Sequence, residues 1–273
     1  MREVTFTLDV EDHGARADTP RAPMITRQVI EALAERRVRG TFFVVGELAH
    51  AHPDLVRDIA TAGHELALHG WTHQPLTTVA PDGLLDDLRR GREQLEAIAQ
   101  QPVVGFRAPT FSLVPESQWT LDVMVAAGFT YSSSVLPARS PLFGDASQPR
   151  VPFRWPNGLV ELPCPVATFG RPAKPLVANP YLGGVYFRVL PWPLIRYGLA
   201  HAGDDEALWL YSHPYDFDPD EPFRARPELG RLGSRLMWFG RSRMARRVAR
   251  VLDGTTATAG PPLGEIAAAF AAH

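Results

Sequence analysis

A chain of 273 residues with 45% hydrophobic and 21% charged residues has the composition of a folded globular protein, which excludes global disorder. Its 28 basic and 30 acidic residues leave a formal net charge of −2, so no chain-wide positive field exists to grip nucleic acid. The single cysteine, Cys164, excludes both an internal disulfide framework and a zinc site built from several thiolates.

Val4–Leu8 is rich in β-formers and predicts a strand that ends on Asp9. Ile25, Val29, Ile30, Leu33 and Ala34 recur at helical spacing. Gly40 then punctuates, and Thr41–Val45 predicts a second strand. Pro53 opens a helix bearing Leu55, Val56, Ile59 and Ala60, which Gly63 ends. His64–His69 predicts a third strand. Pro81 and Asp82 lead into a longer helix with Leu84, Leu88, Leu95 and Ile98 on one face. Val103–Arg107 predicts a fourth strand, and Pro115–Ala127 the next helix. Residues 135–185 break the rhythm. They hold many prolines and one clear strand, Leu159–Pro163, and read as a loop-rich insertion on the site face. A helix over Leu194–Ala202 and a buried strand over Ala207–His213 restore the pattern. A basic helical extension is expected over 228–273, its arginines lying within Arg231–Leu252. Nothing marks an interdomain linker, so one domain is expected over 1–273.

Strand–helix alternation predicts a parallel sheet with helices outside it and right-handed crossovers. An open doubly wound sheet and a closed barrel both fit, and in either the chemistry gathers at the carboxyl ends of the strands. The N-terminus shows no basic start followed by an apolar run, and no stretch approaches the ~20 apolar residues of a membrane span, so a cytoplasmic location is expected.

Three clusters stand at predicted strand ends. Asp9-Val10-Glu11-Asp12-His13 crowds three carboxylates that repel one another unless a cation or an arginine sits among them. A solvated acidic turn explains such a cluster equally well. His69-Gly70-Trp71-Thr72-His73 spaces two histidines so that neutral imidazoles can converge on one ion, although such pairs are more often structural. His213 ends the apolar run Leu208–Ser212, where a lone histidine is more often a satisfied core residue than a catalyst. His50, His52 and His64 carry no such pattern and read as structural. Arg107 at a strand end requires a carboxylate, for which Asp9 is the natural partner. Taken together, an aspartate and two histidines for a metal, a spare aspartate, an arginine and a distal histidine suit metal-assisted hydrolysis.

Thr7-Leu8-Asp9-Val10-Glu11-Asp12, His69-Gly70-Trp71-Thr72-His73, Phe106-Arg107-Ala108-Pro109 and Tyr211-Ser212-His213 resemble, in order, the motifs of the polysaccharide deacetylase family, also called carbohydrate esterase family 4 or the NodB-homology domain. Gly183–Arg188 and His213–Pro219 resemble a branch associated with bacterial exopolysaccharide biosynthesis. The resemblance implies an α/β fold, a distorted (β/α) barrel of about seven parallel strands. It implies Asp9 as catalytic base, His69 and His73 as metal ligands, Arg107 as the residue orienting the base, and His213 as general acid. The backbone amide of Thr110 would help hold the oxyanion. For the metal-binding carboxylate, Asp12 is preferred by residue type and Glu11 is the alternative. Many relatives pair the general-acid histidine with an aspartate that is missing from Phe129–Ser134. Asp145 or Asp216 would have to supply it, or His213 would titrate low.

The expected activity is metal-dependent removal of an N-acetyl group from an amino sugar in a polysaccharide or glycan precursor, with Zn2+ as the default ion because such a ligand set leaves positions open. Hydrolysis of a cyclic amide or imide is one rival, and a non-catalytic carbohydrate-binding protein on the same fold is another. The basic C-terminal segment, with Trp238 and Phe239 among its arginines, suggests peripheral contact with an anionic membrane, against the commoner reading of a solvated helix face.

Overall fold

The computed structural model describes residues 1–12, 21–171, 174–226, 230–254 and 256–272; His13 and the expected start of the basic extension at 228 lie outside them. Strands β1 (Arg2–Val10), β2 (Gly40–Val44), β3 (Glu65–Leu68), β4 (Gly105–Phe106) and β5 (Tyr131–Ser132) alternate with helices α1 (Ala22–Ala34), α2 (Gly46–Ala51), α3 (Pro53–Thr61), α4 (Pro81–Ala99) and α5 (Thr120–Ala126). There follow β6 (Phe153–Arg154), β7 (Val160–Glu161), β8 (Ala167–Arg171), β9 (Lys174–Asn179), α6 (Gly184–Val189), α7 (Trp192–His201), β10 (Trp209–Ser212), α8 (Gly230–Trp238), α9 (Met244–Leu252), β11 (Ala257–Ala259) and α10 (Leu263–Ala271).

The main sheet runs β10-β1-β2-β3-β4-β5-β7-β6, with β11 added beside β1. From β10 through β7 every neighbouring pair is parallel, which gives the seven parallel strands of a distorted barrel. β6 is antiparallel to β7. No ladder among the described residues joins β6 to β10, so the sheet is a curled half-barrel.

Strand periodicity sorts the residues. Successive side chains point to opposite faces, and a parallel sheet covered by helices buries both. Val4, Phe6, Leu8 and Val10 of β1, Phe42 and Val44 of β2, and Leu66 and Leu68 of β3 join the helix-side core. Phe43, Ala67, Tyr131, Val160 and Trp209 form a second core inside the half-barrel, closed by Leu263 and Ala267 of α10. Thr5, Thr7 and Asp9 alternate with the helix-side residues of β1 and therefore share this inner face.

Three expectations are revised in detail. The segment 135–185 contains two antiparallel hairpins, β6–β7 and β8–β9, beyond the one strand read from the sequence. Pro175 and a register shift at Phe169/Gly170 break the alternation that would have marked β8 and β9. The basic segment Arg231–Leu252 is two helices, because Gly240 adopts φ 77° and turns the chain between α8 and α9. Residues Pro115–Ser117 form a separate 3-10 turn ahead of α5.

One glycine fixes the loop that carries the paired histidines. Gly46 at the start of α2 donates its N–H to the Gly70 carbonyl at 2.9 Å, and Glu47 donates to the Trp71 carbonyl at 3.0 Å. A Cβ on Gly46 would stand 2.4 Å from the Trp71 ring. Gly46→Ala is therefore expected to lose about 1–3 kcal/mol of stability through overpacking. Denaturant unfolding measures it, and an unchanged midpoint would show that Trp71 yields freely.

Candidate metal and catalytic site

The functional side chains share one parity. Asp9, Glu11, His69, Arg107, Ser133 and His213 each continue the inward-facing alternation of β1, β3, β4, β5 or β10 at its carboxyl end. Asp12, one residue past Glu11, falls on the other side of the chain. It is exposed, and its Oδ1 accepts the Ala22 N–H at 2.9 Å at the start of α1. The preference for Asp12 by residue type is thus corrected by placement: the carboxylate that meets the histidines is Glu11.

Glu11, His69 and His73 each offer one ligand atom, and these atoms lie within 4.8 Å of one another. His69 Nδ1 lies 2.9 Å from the Arg107 carbonyl. A carbonyl only accepts, so Nδ1 carries the hydrogen and the lone pair of Nε2 faces Asp9 and Glu11, each 3.9 Å away. Burial pulls the His69 pKa down to about 4, so the ring is neutral at pH 7 and free to donate that lone pair. Glu11 Oε2 is buried and accepts no hydrogen bond, although His73 Nε2 stands directly against it. Burial alone would raise the Glu11 pKa, but the charge and contact of His73, then His213 and His69, bring it down to about 2. An ionised carboxylate and two imidazole nitrogens converging on one point, one oxygen otherwise unpartnered, fit a divalent cation.

The backbone around this point is strained. His73, Thr110 and Phe111 take φ of 58°, 58° and 55°, a left-handed conformation that costs non-glycine residues about 1–3 kcal/mol each. Gly70, at φ 75°, gives the turn between the histidines at no such cost.

Asp9 is 3% exposed, and its Oδ1 accepts from Arg107 Nη1 at 2.6 Å, the partnership expected from the sequence. Arg107 is fully buried. Nη1 also donates to Thr7 Oγ1 at 2.8 Å, Nη2 to Ser133 Oγ at 3.0 Å and Nε to the Ser133 carbonyl at 3.2 Å. Its guanidinium lies 3.9 Å over the Phe43 ring and 4.3 Å over Trp209. Sequence reading did not single out Thr7 or Ser133. Their inward parity with Asp9 and Tyr131 was the available signal.

His213 reaches Glu11 from the end of β10, the strand paired with β1, with Nε2 3.9 Å from Glu11 Oε1. Its Nδ1 donates to Asp216 Oδ2 at 2.9 Å, and the same oxygen accepts the His213 backbone N–H at 2.9 Å. The ring stacks on Tyr215 at 4.5 Å. Asp216 is therefore the acid left open by the sequence, while Asp145 bonds to Ser147 and Gln148. Burial would lower the His213 pKa, but Asp216, Glu11 and Asp9 raise it to about 9, opposite to the low-titrating alternative. Asp216 Oδ1 forms an ion pair with Arg188 Nε at 2.8 Å, both side chains fully buried. Arg188 also donates to the carbonyls of Phe239 at 2.6 Å and Met237 at 3.1 Å, so α8 and α6 brace the His213 turn.

Comparison with known proteins agrees with this geometry. Residues 3–132 match the model of the polysaccharide deacetylase family, and residues 133–258 match DUF3473, a domain of unknown function. A chitooligosaccharide deacetylase of Rhizobium leguminosarum bv. trifolii is 38% identical over 82 residues, 30% of this chain and 38% of that protein. The chain spans less than half the length of the first curated relatives it matches. Among solved structures, a Mycobacterium smegmatis protein assigned as a polysaccharide deacetylase superposes with a TM-score of 0.64 at 25% identity, covering 99% of this chain and 90% of its own. A carbohydrate esterase family 4 pseudoenzyme of Bacillus anthracis shares the fold, with a TM-score of 0.52 at 13% identity, covering 97% of this chain and 65% of its own. The first part of the chain, residues 3–132, is thus similar to the polysaccharide deacetylase family, and residues 133–258 are similar to DUF3473.

Proposed function

We propose that this protein is a metal-dependent N-deacetylase that hydrolyses an acetamido group on a sugar within a glycan or glycan precursor. The observation that carries this reading is the placement of the Glu11–His69–His73 cluster between an arginine-held carboxylate, Asp9, and an aspartate-held imidazole, His213. The same family name among the chitooligosaccharide deacetylases supports an acetylated carbohydrate, and the Gly183–Arg188 and His213–Pro219 segments support a glycan of exopolysaccharide biosynthesis.

Glu11, His69 and His73 would hold the ion, with Zn2+ the proposed metal for a carboxylate and two imidazoles. When bound, it supplies Lewis-acid polarisation of the amide carbonyl and of water. Asp9, oriented by Arg107, accepts the proton that water loses as its oxygen bonds to the carbonyl carbon. The Thr110 N–H is proposed to donate to the carbonyl oxygen as negative charge develops there. His213, protonated at neutral pH, gives its Nε2 proton to the sugar nitrogen as the C–N bond breaks. Acetate and a free amine result, and the acid and base exchange protons with solvent to complete the cycle.

Metal analysis coupled to acetate release on a panel of N-acetylated oligosaccharides, ureides and imides tests this reading. His69→Ala and His73→Ala are expected to lose metal and activity together, since each removes one of three protein ligands. Glu11→Gln should behave likewise, whereas Asp12→Asn should keep both. Metal bound with no acetate released from any sugar would favour a non-catalytic glycan-binding protein. Turnover of imides alone would favour the cyclic-amide reading.

A further inference from the structure

Helices on a folded protein turn their apolar side inward. α8 carries apolar residues on its outer side as well: Met237 and Trp238 are half-buried with Ser234 on the inner side, but Leu232 and Leu236 are not. Ser234 is its buried residue, and the hydroxyl bonds to the backbone of Arg226 and to the Gly230 carbonyl. Leu232 and Leu236, one turn apart, and Phe239 just past the helix end are 83, 43 and 52% exposed. Phe223, 54% exposed, packs edge-on to Trp238 beside them at 5.1 Å. These are four of the eleven exposed large apolar side chains among the described residues, and clustering rather than scatter marks a contact surface.

The charge around this face is equally local. Residues 223–250 carry nine arginines against one acid, Glu228, in a chain whose net charge is −2; of these, Arg241 is buried against Glu221 and Arg247 is turned to the Phe187 and Leu190 carbonyls, while Arg231, Arg235 and Arg243 are exposed. Arg231 and Arg235, both exposed, each precede one of the two leucines, and Arg243 lies over the Phe239 ring at 5.4 Å. The crowding reaches Arg247, whose pKa is lowered by burial and then by Arg243, Arg246 and Arg250. Arg188 ties the carbonyls of Met237 and Phe239 to the Asp216 beside His213, so the end of α8 is braced against the site.

Exposed leucine and phenylalanine rimmed by arginine is the composition of a helix that lies in a bilayer interface. No helix among the described residues is long and apolar enough to cross a membrane. An anionic polysaccharide would engage the arginines but leave the leucines in water. A second copy of so basic a face would repel the first. We propose that the outward face of α8, with Phe223, Phe239 and the surrounding arginines, docks on an anionic lipid bilayer. Docking is independent of whether the site hydrolyses amides, and it is measured without substrate.

Cosedimentation of the full chain with vesicles of phosphatidylcholine alone, or mixed equally with phosphatidylglycerol, tests the proposal. Binding is expected to the anionic vesicles only and to fall as salt rises. Arg231→Ala/Arg235→Ala should weaken partitioning by roughly tenfold or more, and Leu232→Ser/Leu236→Ser by about tenfold. A Leu232→Cys variant carrying a polarity-sensitive fluorophore, selective because Cys164 is buried, should shift to the blue on anionic vesicles. No binding at low salt, or an unshifted fluorophore, overturns the proposal. So does binding indifferent to the leucine substitutions, which would indicate adsorption of a polyanion to the arginines alone.

Discussion

Asp9→Asn is expected to keep its metal and to lose roughly two to four orders of magnitude in the rate of acetate release, the scale of a lost general base. The amide is nearly isosteric and can still accept from Arg107 Nη1, but it cannot take up a proton. Folding should survive, because Arg107 retains Thr7, both acceptors of Ser133 and the faces of Phe43 and Trp209. The informative measurement is metal stoichiometry alongside turnover at saturating substrate. Asp9 Oδ2 lies 3.9 Å from His69 Nε2, near enough to make a ligand role the concrete alternative. Loss of metal together with activity in Asp9→Asn would establish that alternative and remove the base from the scheme.

Strands β1 to β4 were legible as short runs of apolar and β-forming residues, whereas α2 and β5 were not, since Tyr131–Ser132 runs on into Ser133 and Ser134 rather than into an apolar stretch. The Asp9–Arg107 pair was legible too, because both residues stand at strand ends, but the period of two did not enter the reading of the rest of the site. Asp9 and Glu11 are two residues apart and so share the inner face, whereas Asp12 cannot. Residue type favoured Asp12, and strand geometry outweighs residue type at this position. The partner of His213 lay three residues downstream in His213-Pro214-Tyr215-Asp216, within reach because Pro214–Phe217 forms a 3-10 turn that folds the carboxylate back onto the ring. Arg188 was not legible. It is 28 residues upstream of Asp216 on a different element, and nothing local in a sequence reports an ion pair made by tertiary packing. The β8–β9 hairpin escaped for the opposite reason, since its strands support each other while a proline and a register shift hide their period.

Asp216→Asn should move the alkaline limb of the activity profile toward lower pH and destabilise the fold. Burial alone would push the His213 pKa below its ordinary value near 6.5, and Asp216 does most to reverse this, bringing it to about 9. A group raised in this way contributes stability that is fully present below about pH 6.5 and is lost as pH rises through about 9. Without the Asp216 charge both the stabilisation and the protonated fraction at neutral pH decline. A bound cation would depress His213 in both proteins, so the difference between them keeps its sign. The second cost falls on Arg188, left fully buried beside a neutral amide. Breaking a buried ion pair from one side costs about 3–5 kcal/mol, which should appear as an earlier denaturant midpoint. Asp216→Glu separates the two effects. It keeps the charge while disturbing the packing, so it should lose stability yet hold its alkaline limb nearer that of the parent. The pH dependence of kcat/KM reads the acid in the free enzyme. An alkaline limb that stays in place in Asp216→Asn would show that His213 does not deliver the proton, and the acid would then have to be sought elsewhere in the site.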